Sequence, residues 1–259
     1  MQKTNLQAVL CNAKTDYDRD GYIARYSLIG PSEMVEINTQ LDQFILNCVP
    51  QMSNTEVYYE EKGNSGNIKQ MMNMNKHSAY FRDLVENSVM RDLAAELLGE
   101  NVRAVNVEYF NKPPGIGKPT PAHQDGYFFH LTPSKAVTCW LALEDVDDEN
   151  GCIHYVRGSH KAEGFRQHSR SNILGFSQGM TDFGTALDKD NTVSFPCGAG
   201  TLLAHDSKTV HWAGANQSNT RSRRALGFVY FAESAKHDKI ASDAYQAKLH
   251  ADLRDAKKI

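Results

Sequence analysis

Beyond Gly99 the chain becomes a series of short segments rich in β-branched and aromatic residues, separated by Gly, Pro, Asn and Asp. Segments 102–110, 137–143, 152–156, 192–196, 201–205, 210–213 and 224–231 each have the length and composition of a strand. Many short strands at roughly regular spacing favour a sandwich or barrel over a sheet built from βαβ units. The first hundred residues read differently. In 32–47, Met34, Ile37, Leu41, Phe44 and Ile45 recur at helical spacing, with Ser32 as a candidate N-cap. In 78–98, Phe81, Leu84, Val85, Val89, Leu93 and Leu97 form a second apolar face, closed by Gly99. A loop is expected at 60–66, a Met-rich stretch follows at 68–74, and the polar tail 242–259 reads as a surface helix.

No repeat, low-complexity tract or linker divides the 259 residues. One mainly β domain with flanking helices is therefore expected over 1–259: helical support over 1–100, a β core over 101–232 and a helical tail over 233–259. The formal net charge of −3 offers no basic stripe for nucleic acid. Arg221, Arg223 and Arg224 cluster on one strand but do not make a binding face. Cys11, Cys48, Cys139, Cys152 and Cys197 are odd in number and irregularly spaced, which argues against a disulfide framework or a zinc knuckle. Cys139, inside an apolar run, reads as a small core residue. Residues 1–5 lack the apolar core of a signal peptide, and no stretch has the ~18 apolar residues of a membrane span. A cytoplasmic protein without a membrane partner is expected.

The sharpest local feature is Pro121-Ala122-His123-Gln124-Asp125-Gly126. On a strand, residues two apart share a face, so His123 and Asp125 would present an imidazole nitrogen and a carboxylate oxygen together. Two histidines and one carboxylate on one side of a metal, with the other positions open, is the arrangement of non-heme iron(II) oxygenases. A third ligand must come from a late strand brought alongside by closure of the fold. His211 lies 88 residues after His123, is followed by Asn216, and precedes the arginines that open the last strand. His205 is the rival ligand, read here as hydrogen-bonding within the core. Strand parity also places Asn106, Glu108, Phe110 and Lys112 on one face. If that face points inward, Asn106 can reach a cosubstrate or substrate, and a buried Glu108 needs a partner.

Further blocks stand in order around these residues: Tyr17-Asp18-Arg19-Asp20-Gly21-Tyr22, Phe110-Asn111-Lys112-Pro113-Pro114-Gly115, Cys139-Trp140, Glu149-Asn150-Gly151-Cys152, Gly158-Ser159-His160-Lys161 and Arg223-Arg224-Ala225. Together they resemble the phytanoyl-CoA dioxygenase family of Fe(II)/2-oxoglutarate oxygenases over most of the chain. The resemblance implies a double-stranded β-helix of the jelly-roll, cupin-like kind, with Fe(II), 2-oxoglutarate and O2 as cofactor and cosubstrates. It matches His123, Asp125 and His211 to the iron ligands, and Arg223 to the arginine that pairs with the far carboxylate of 2-oxoglutarate. Trp140 and Lys69 match residues beside that cosubstrate. Arg223 falls one place later after His211 than the family pattern, so Arg224 and Arg221 remain alternatives. Arg157 stands where the family has proline before Gly-Ser-His.

The resemblance implies a dioxygenase that hydroxylates an unactivated C–H bond of a small polar molecule, with release of succinate and CO2. Retention of Asp125 favours hydroxylation over halogenation. Tyr127 and Phe129, as alternate residues after the metal pair, are expected to line the substrate pocket. Arg166 and His168, in a long loop of the kind that lids a site, are expected to hold an anionic group. A small organophosphonate such as 2-aminoethylphosphonate is one alternative substrate. The competing classes are a non-catalytic relative that binds metal and 2-oxoglutarate, and a zinc hydrolase with the same three ligands, which has no use for the arginine. The quaternary state expected is a monomer or homodimer.

Overall fold

In a computed structural model, residues 6–61, 64–171, 173–175 and 178–259 are described; residues 1–5 and part of the loop expected at 60–66 fall outside them. Two antiparallel sheets face each other. The larger has seven strands, in the order Tyr22–Arg25, Leu202–Asp206, Ala136–Ala142, Arg223–Ala232, Val102–Lys112, Ile68–Met71 and Val57–Tyr59. The smaller has four, in the order Thr192–Phe195, Ile153–Val156, His211–Ala213 and Thr120–His123. This is the jelly-roll core, and the strands expected beyond Gly99 all occur in it.

Period-two alternation gives each strand of the large sheet two different faces. One face carries Val107, Cys139, Leu141, Leu226 and Phe228 into a core shared with Phe81, Val85, Leu93 and Leu97 of the helices. Cys139 is fully buried there, and burial pushes its thiol up to about 12. The other face turns toward the small sheet and packs Tyr22, Trp140 and Ala225 against Ile153 and Tyr155. All five cysteines are free.

The helix expected at 32–47 runs Pro31–Asn47 and buries Met34, Ile37, Leu41 and Phe44. It begins one residue early, with Gly30 in the capping position and Pro31 in the first turn, where proline has no N–H to lose. The helix expected at 78–98 is two helices, Ala79–Glu86 and Val89–Leu98. Asn87 and Ser88 lie between them in non-helical conformations, and the Asn87 Nδ2 donates back to Asp83. Such residues compete with the helix for its own backbone partners. Gly99 closes the second helix as expected.

Three strands from the first hundred residues extend the large sheet at its edges: Tyr22–Arg25, Val57–Tyr59 and Ile68–Met71. The tail forms the helix Lys239–Asp255, which begins three residues before the expected point. It is more than a surface element, because Tyr245, Leu249 and Leu253 face a cavity. Among the described residues no helix is long and apolar enough to cross a membrane.

Phe228 sits at 0% exposure where the central strand meets the helical layer. Phe228→Ala is expected to lower stability by about 3–5 kcal/mol. Leu46→Ala, at a side chain 74% exposed, should cost under ~0.5 kcal/mol. Urea denaturation of the two variants measures the contrast.

Candidate metal centre and cosubstrate pocket

The small sheet brings the two histidines together. His211 and His123 are direct cross-strand partners on neighbouring antiparallel strands. Their rings are 4.1 Å apart, centroid to centroid. His123 Nδ1 lies 2.8 Å from the Pro121 carbonyl, and His211 Nδ1 lies 3.0 Å from that of Thr209. A carbonyl only accepts, so each Nδ1 carries the proton and each Nε2 keeps its lone pair.

Asp125 reaches them by a route strand parity does not describe. His123 ends its strand, and Asp125 lies past that end, with helical dihedrals at the start of the short helix Gly126–Phe129. Gly126 makes this tight turn possible: a Cβ there would lie 2.6 Å from Ser134 Oγ and 2.8 Å from the Phe165 ring. Asp125 Oδ1 is then 3.4 Å from His123 Nε2 and 3.5 Å from His211 Nε2.

The other carboxylate oxygen is committed to the scaffold. Asp125 Oδ2 accepts from Thr138 Oγ1 at 2.6 Å and from His205 Nε2 at 3.1 Å. The Tyr155 hydroxyl donates to His205 Nδ1 at 2.9 Å. His205 is therefore an orienting residue, as the core reading expected. Burial pushes the Asp125 carboxyl up, but His211, His123 and His205 outweigh it and hold it well below the usual carboxylate range. Burial, followed by the neighbouring His123 and His205, pushes His211 well below the usual imidazole value. A carboxylate with two imidazole Nε2 atoms facing it is a donor set for a divalent cation. The three ligand atoms lie within 4.8 Å of one another, so the residues present fit such an ion.

The cluster opens into a cavity of about 240 Å³. Cross-strand register shows how the large sheet builds its wall. Arg223 pairs with Lys112, Ala225 with Phe110, Gly227 with Glu108, and Val229 with Asn106. Gly227 also pairs with Trp140, and Val229 with Thr138. These residues share the inward face.

At one end of the cavity lie three buried cations, Arg223, Lys69 and Lys112. Arg223 lies 5.5 Å from the Trp140 ring centroid, and its Nε has no hydrogen-bond partner among the described residues. Burial lowers its guanidinium to about 10. Lys69 Nζ is 2.8 Å from Glu60, whereas among the described residues Lys112 Nζ donates to the Lys118 carbonyl and Thr120 Oγ1. Burial lowers both lysines, and Arg223 adds to the effect on Lys112. A buried cationic end with one carboxylate calls for an anionic ligand. Of the three clustered arginines, Arg223 lines the cavity. Arg224 donates to Glu144 at 2.7 Å, and Arg221 pairs with Asp147 and Glu149.

Other expected site residues are placed differently. Phe129 lines the cavity, together with Phe128. Tyr127 does not; it stacks on His168, with ring centroids 4.2 Å apart. The alternation expected of Tyr127 and Phe129 fails because the segment is a helical turn. Arg166 is spent on Asp182 and Asp188, and His168 on the Arg166 carbonyl and the Gln124 N–H. Both brace the loop, and neither faces the cavity. Asn106 accepts from the Asn73 N–H at 2.8 Å and donates to Glu108 Oε1 at 2.6 Å, so it supports Glu108 from behind. Thr138 and the tail residues Tyr245, Leu249 and Leu253 escaped the sequence reading. Parity with Trp140 marks Thr138, and i, i+4, i+8 spacing marks the tail.

A jelly roll carrying an open His/Asp/His cluster, with a buried arginine in the same cavity whose Nε has no partner among the described residues, defines an iron and 2-oxoglutarate oxygenase. Comparison with known proteins agrees. The chain belongs to the phytanoyl-CoA dioxygenase family, whose profile matches residues 17–225. It is a 2-oxoglutarate-dependent dioxygenase, with iron as its metal and dioxygen as its oxidant. A relative from Stutzerimonas stutzeri, a probable alpha-ketoglutarate-dependent hypophosphite dioxygenase, is 29% identical over 85% of this chain and 78% of its own length. Phytanoyl-CoA dioxygenase of Arabidopsis thaliana is 31% identical over 65% of this chain. The chain spans 62% of that protein and 42% of the Bos taurus enzyme. Among solved structures, EctD from S. alaskensis with bound Fe superposes with a TM-score of 0.73 at 19% identity, covering 87% of this chain and 78% of that one. The epimerase SnoN, in complex with Fe3+ and alpha ketoglutarate, gives 0.70 at 24% identity, covering 89% and 86%.

Burial, reinforced by the charge of Asp125, raises the Glu108 carboxyl from 4.5 to about 7. A raised carboxyl keeps in the folded state a proton that the unfolded chain has already released. Its stabilising contribution is full below pH 4.5 and is lost as pH rises through about 7. In the metal-free protein, Glu108→Gln should therefore remove part of the decline in stability over that window. Urea midpoints measured against pH for both proteins give the difference.

Proposed function

We propose that this chain hydroxylates a C–H bond of a small polar molecule, consuming 2-oxoglutarate and O2 and releasing succinate and CO2. The observation that carries the reading is a cavity with a metal-binding face and a basic end, where Arg223 Nε has no partner among the described residues. His123 Nε2, Asp125 Oδ1 and His211 Nε2 would hold the iron. Arg223, steadied against Trp140, would pair with the far carboxylate of 2-oxoglutarate, since its planar fork matches a carboxylate. Lys69 and Lys112 add two buried amines to that end.

Iron and 2-oxoglutarate, once held by these residues, would supply the oxidative chemistry with O2 that yields succinate, CO2 and a hydroxylated product. The protein contributes position and exclusion of water. Thr138 and His205 fix the Asp125 carboxylate, so Oδ1 stays aimed at the ion site. Phe128, Phe129, Tyr245 and Leu249 put apolar surface at the mouth of the cavity. Retention of Asp125 leaves no ligand position for a halide, which supports hydroxylation. The modest cavity, and the substrate named for the Stutzerimonas stutzeri relative, support a small polar substrate.

Succinate formation should require Fe(II), O2 and 2-oxoglutarate, and His211→Ala should abolish it. Arg223→Ala should raise the KM for 2-oxoglutarate by roughly 10–100-fold, the value of a charge-assisted hydrogen bond. Arg224→Ala, which loosens pairs with Glu144 and Asp42, should leave it nearly unchanged. Titration of 2-oxoglutarate against succinate release tests the set, and the reverse ranking of the two arginines would refute the assignment.

A further inference from the structure

Glu108 is the unusual residue of the cavity. It stands on the inward face of the Val102–Lys112 strand, opposite Gly227, which in turn pairs with Trp140. Gly227 has no side chain to cover it, and a Cβ there would come within 2.8 Å of the Phe110 ring. The carboxylate therefore lines the cavity.

Its partners are neutral. Gln70 Nε2 donates to Oε2 at 3.2 Å and Asn106 Nδ2 to Oε1 at 2.6 Å. A carboxylate accepts about four hydrogen bonds, so these two amides leave capacity unused. Among the described residues no lysine, arginine or histidine forms an ion pair with Glu108. The buried cations Arg223, Lys69 and Lys112 serve the other end. Gln70 adds a second acceptor to the same wall, because its Oε1 has no hydrogen-bond partner among the described residues. Tyr58 and Phe110 share the register row of Gln70 and put aromatic surface beside the carboxylate. Charge, spare acceptors and aromatic walls together suit an organic cation.

We infer that Glu108 and Gln70 form a subsite for the ammonium group of the substrate, so that the substrate is a small aliphatic amine. This rests on the oxygenase reading above and names the substrate class for the same cavity. An amine seated there donates to Glu108 and to the Gln70 carbonyl oxygen, with Tyr58 and Phe110 beside it. The raised carboxyl of the metal-free protein fits this role, since burial without a counter-ion is the state that an incoming cation relieves. Asn106 acts as a positioning residue, holding Oε1 while its own oxygen is anchored by the Asn73 N–H.

Calorimetry on the anaerobic Fe(II)- and 2-oxoglutarate-loaded protein provides the test, with n-pentylammonium, 1-pentanol and pentanoate as probes of equal shape. Pentylammonium should bind at least ~10-fold more tightly than pentanol, as expected of a charge-assisted hydrogen bond, and pentanoate more weakly than either. Glu108→Gln should erase the preference for the amine, and Glu108→Asp should keep part of it. Near-ultraviolet circular dichroism establishes that each variant is folded. Equal binding of amine and alcohol, tighter binding of pentanoate, or an amine preference that survives Glu108→Gln overturns the inference. If the Fe(II) protein binds no 2-oxoglutarate, the oxygenase reading fails by itself. The ranking of the three probes on metal-free protein then still decides the role of Glu108, which is not among the metal-site residues.

Discussion

The arrangement depends on how Asp125 divides its two oxygens. One is committed to Thr138 and His205, side chains carried by neighbouring strands of the large sheet. The other is left facing two imidazoles carried by the small sheet. The carboxylate thus joins the two halves of the jelly roll at the point where the cavity begins. Each histidine is fixed through Nδ1 by a carbonyl two residues before it, so the local backbone sets both ring orientation and tautomer. Three donors aimed at one point without a proton between them are costly to bury alone, and an ion there offsets that cost.

The same economy governs the rest of the cavity. Its wall is one face of a twisted sheet, and cross-strand register places Arg223 and Lys112 in one row and Glu108 four residues along. Arg223 and Lys112 stand side by side, although like charges repel at that range. Such a pairing persists where an anion belongs between them. Glu108, held only by amides, poses the complementary demand. Shape and charge together describe a site with two polar ends and a metal face.

Much of this was legible in the order of residues, because the jelly roll announces itself through short alternating segments and the donors through their chemistry. His205 stood as a rival to His211 because metal ligation and a core hydrogen bond suit a strand histidine equally well, and its bonds to Asp125 and Tyr155 appear only in three dimensions. Other features needed three dimensions. Asp125 shares a site with His123 through a turn beyond the strand end, which parity could not show. The same turn becomes a short helix and undoes the alternation expected of Tyr127 and Phe129. Edge strands of three or four residues, such as Val57–Tyr59, are too short to carry a period. Arg166 and His168 have the chemistry of anion binders, yet Asp182, Asp188 and Gln124 claim them, and nothing local in the sequence marks those distant partners. Arg223 and Arg224 lie on opposite faces of the strand, and the register pairs Arg223 with Lys112 and Arg224 with Asn111.

Iron-edge anomalous diffraction from crystals grown anaerobically with Fe(II) tests the central claim most directly. The account predicts one ion about 2.0–2.2 Å from His123 Nε2, Asp125 Oδ1 and His211 Nε2, with no further protein ligand. An ion seated instead at the Asp148, Cys152 and His154 group, or one that also takes His205 as a ligand and so closes its open side, would contradict it.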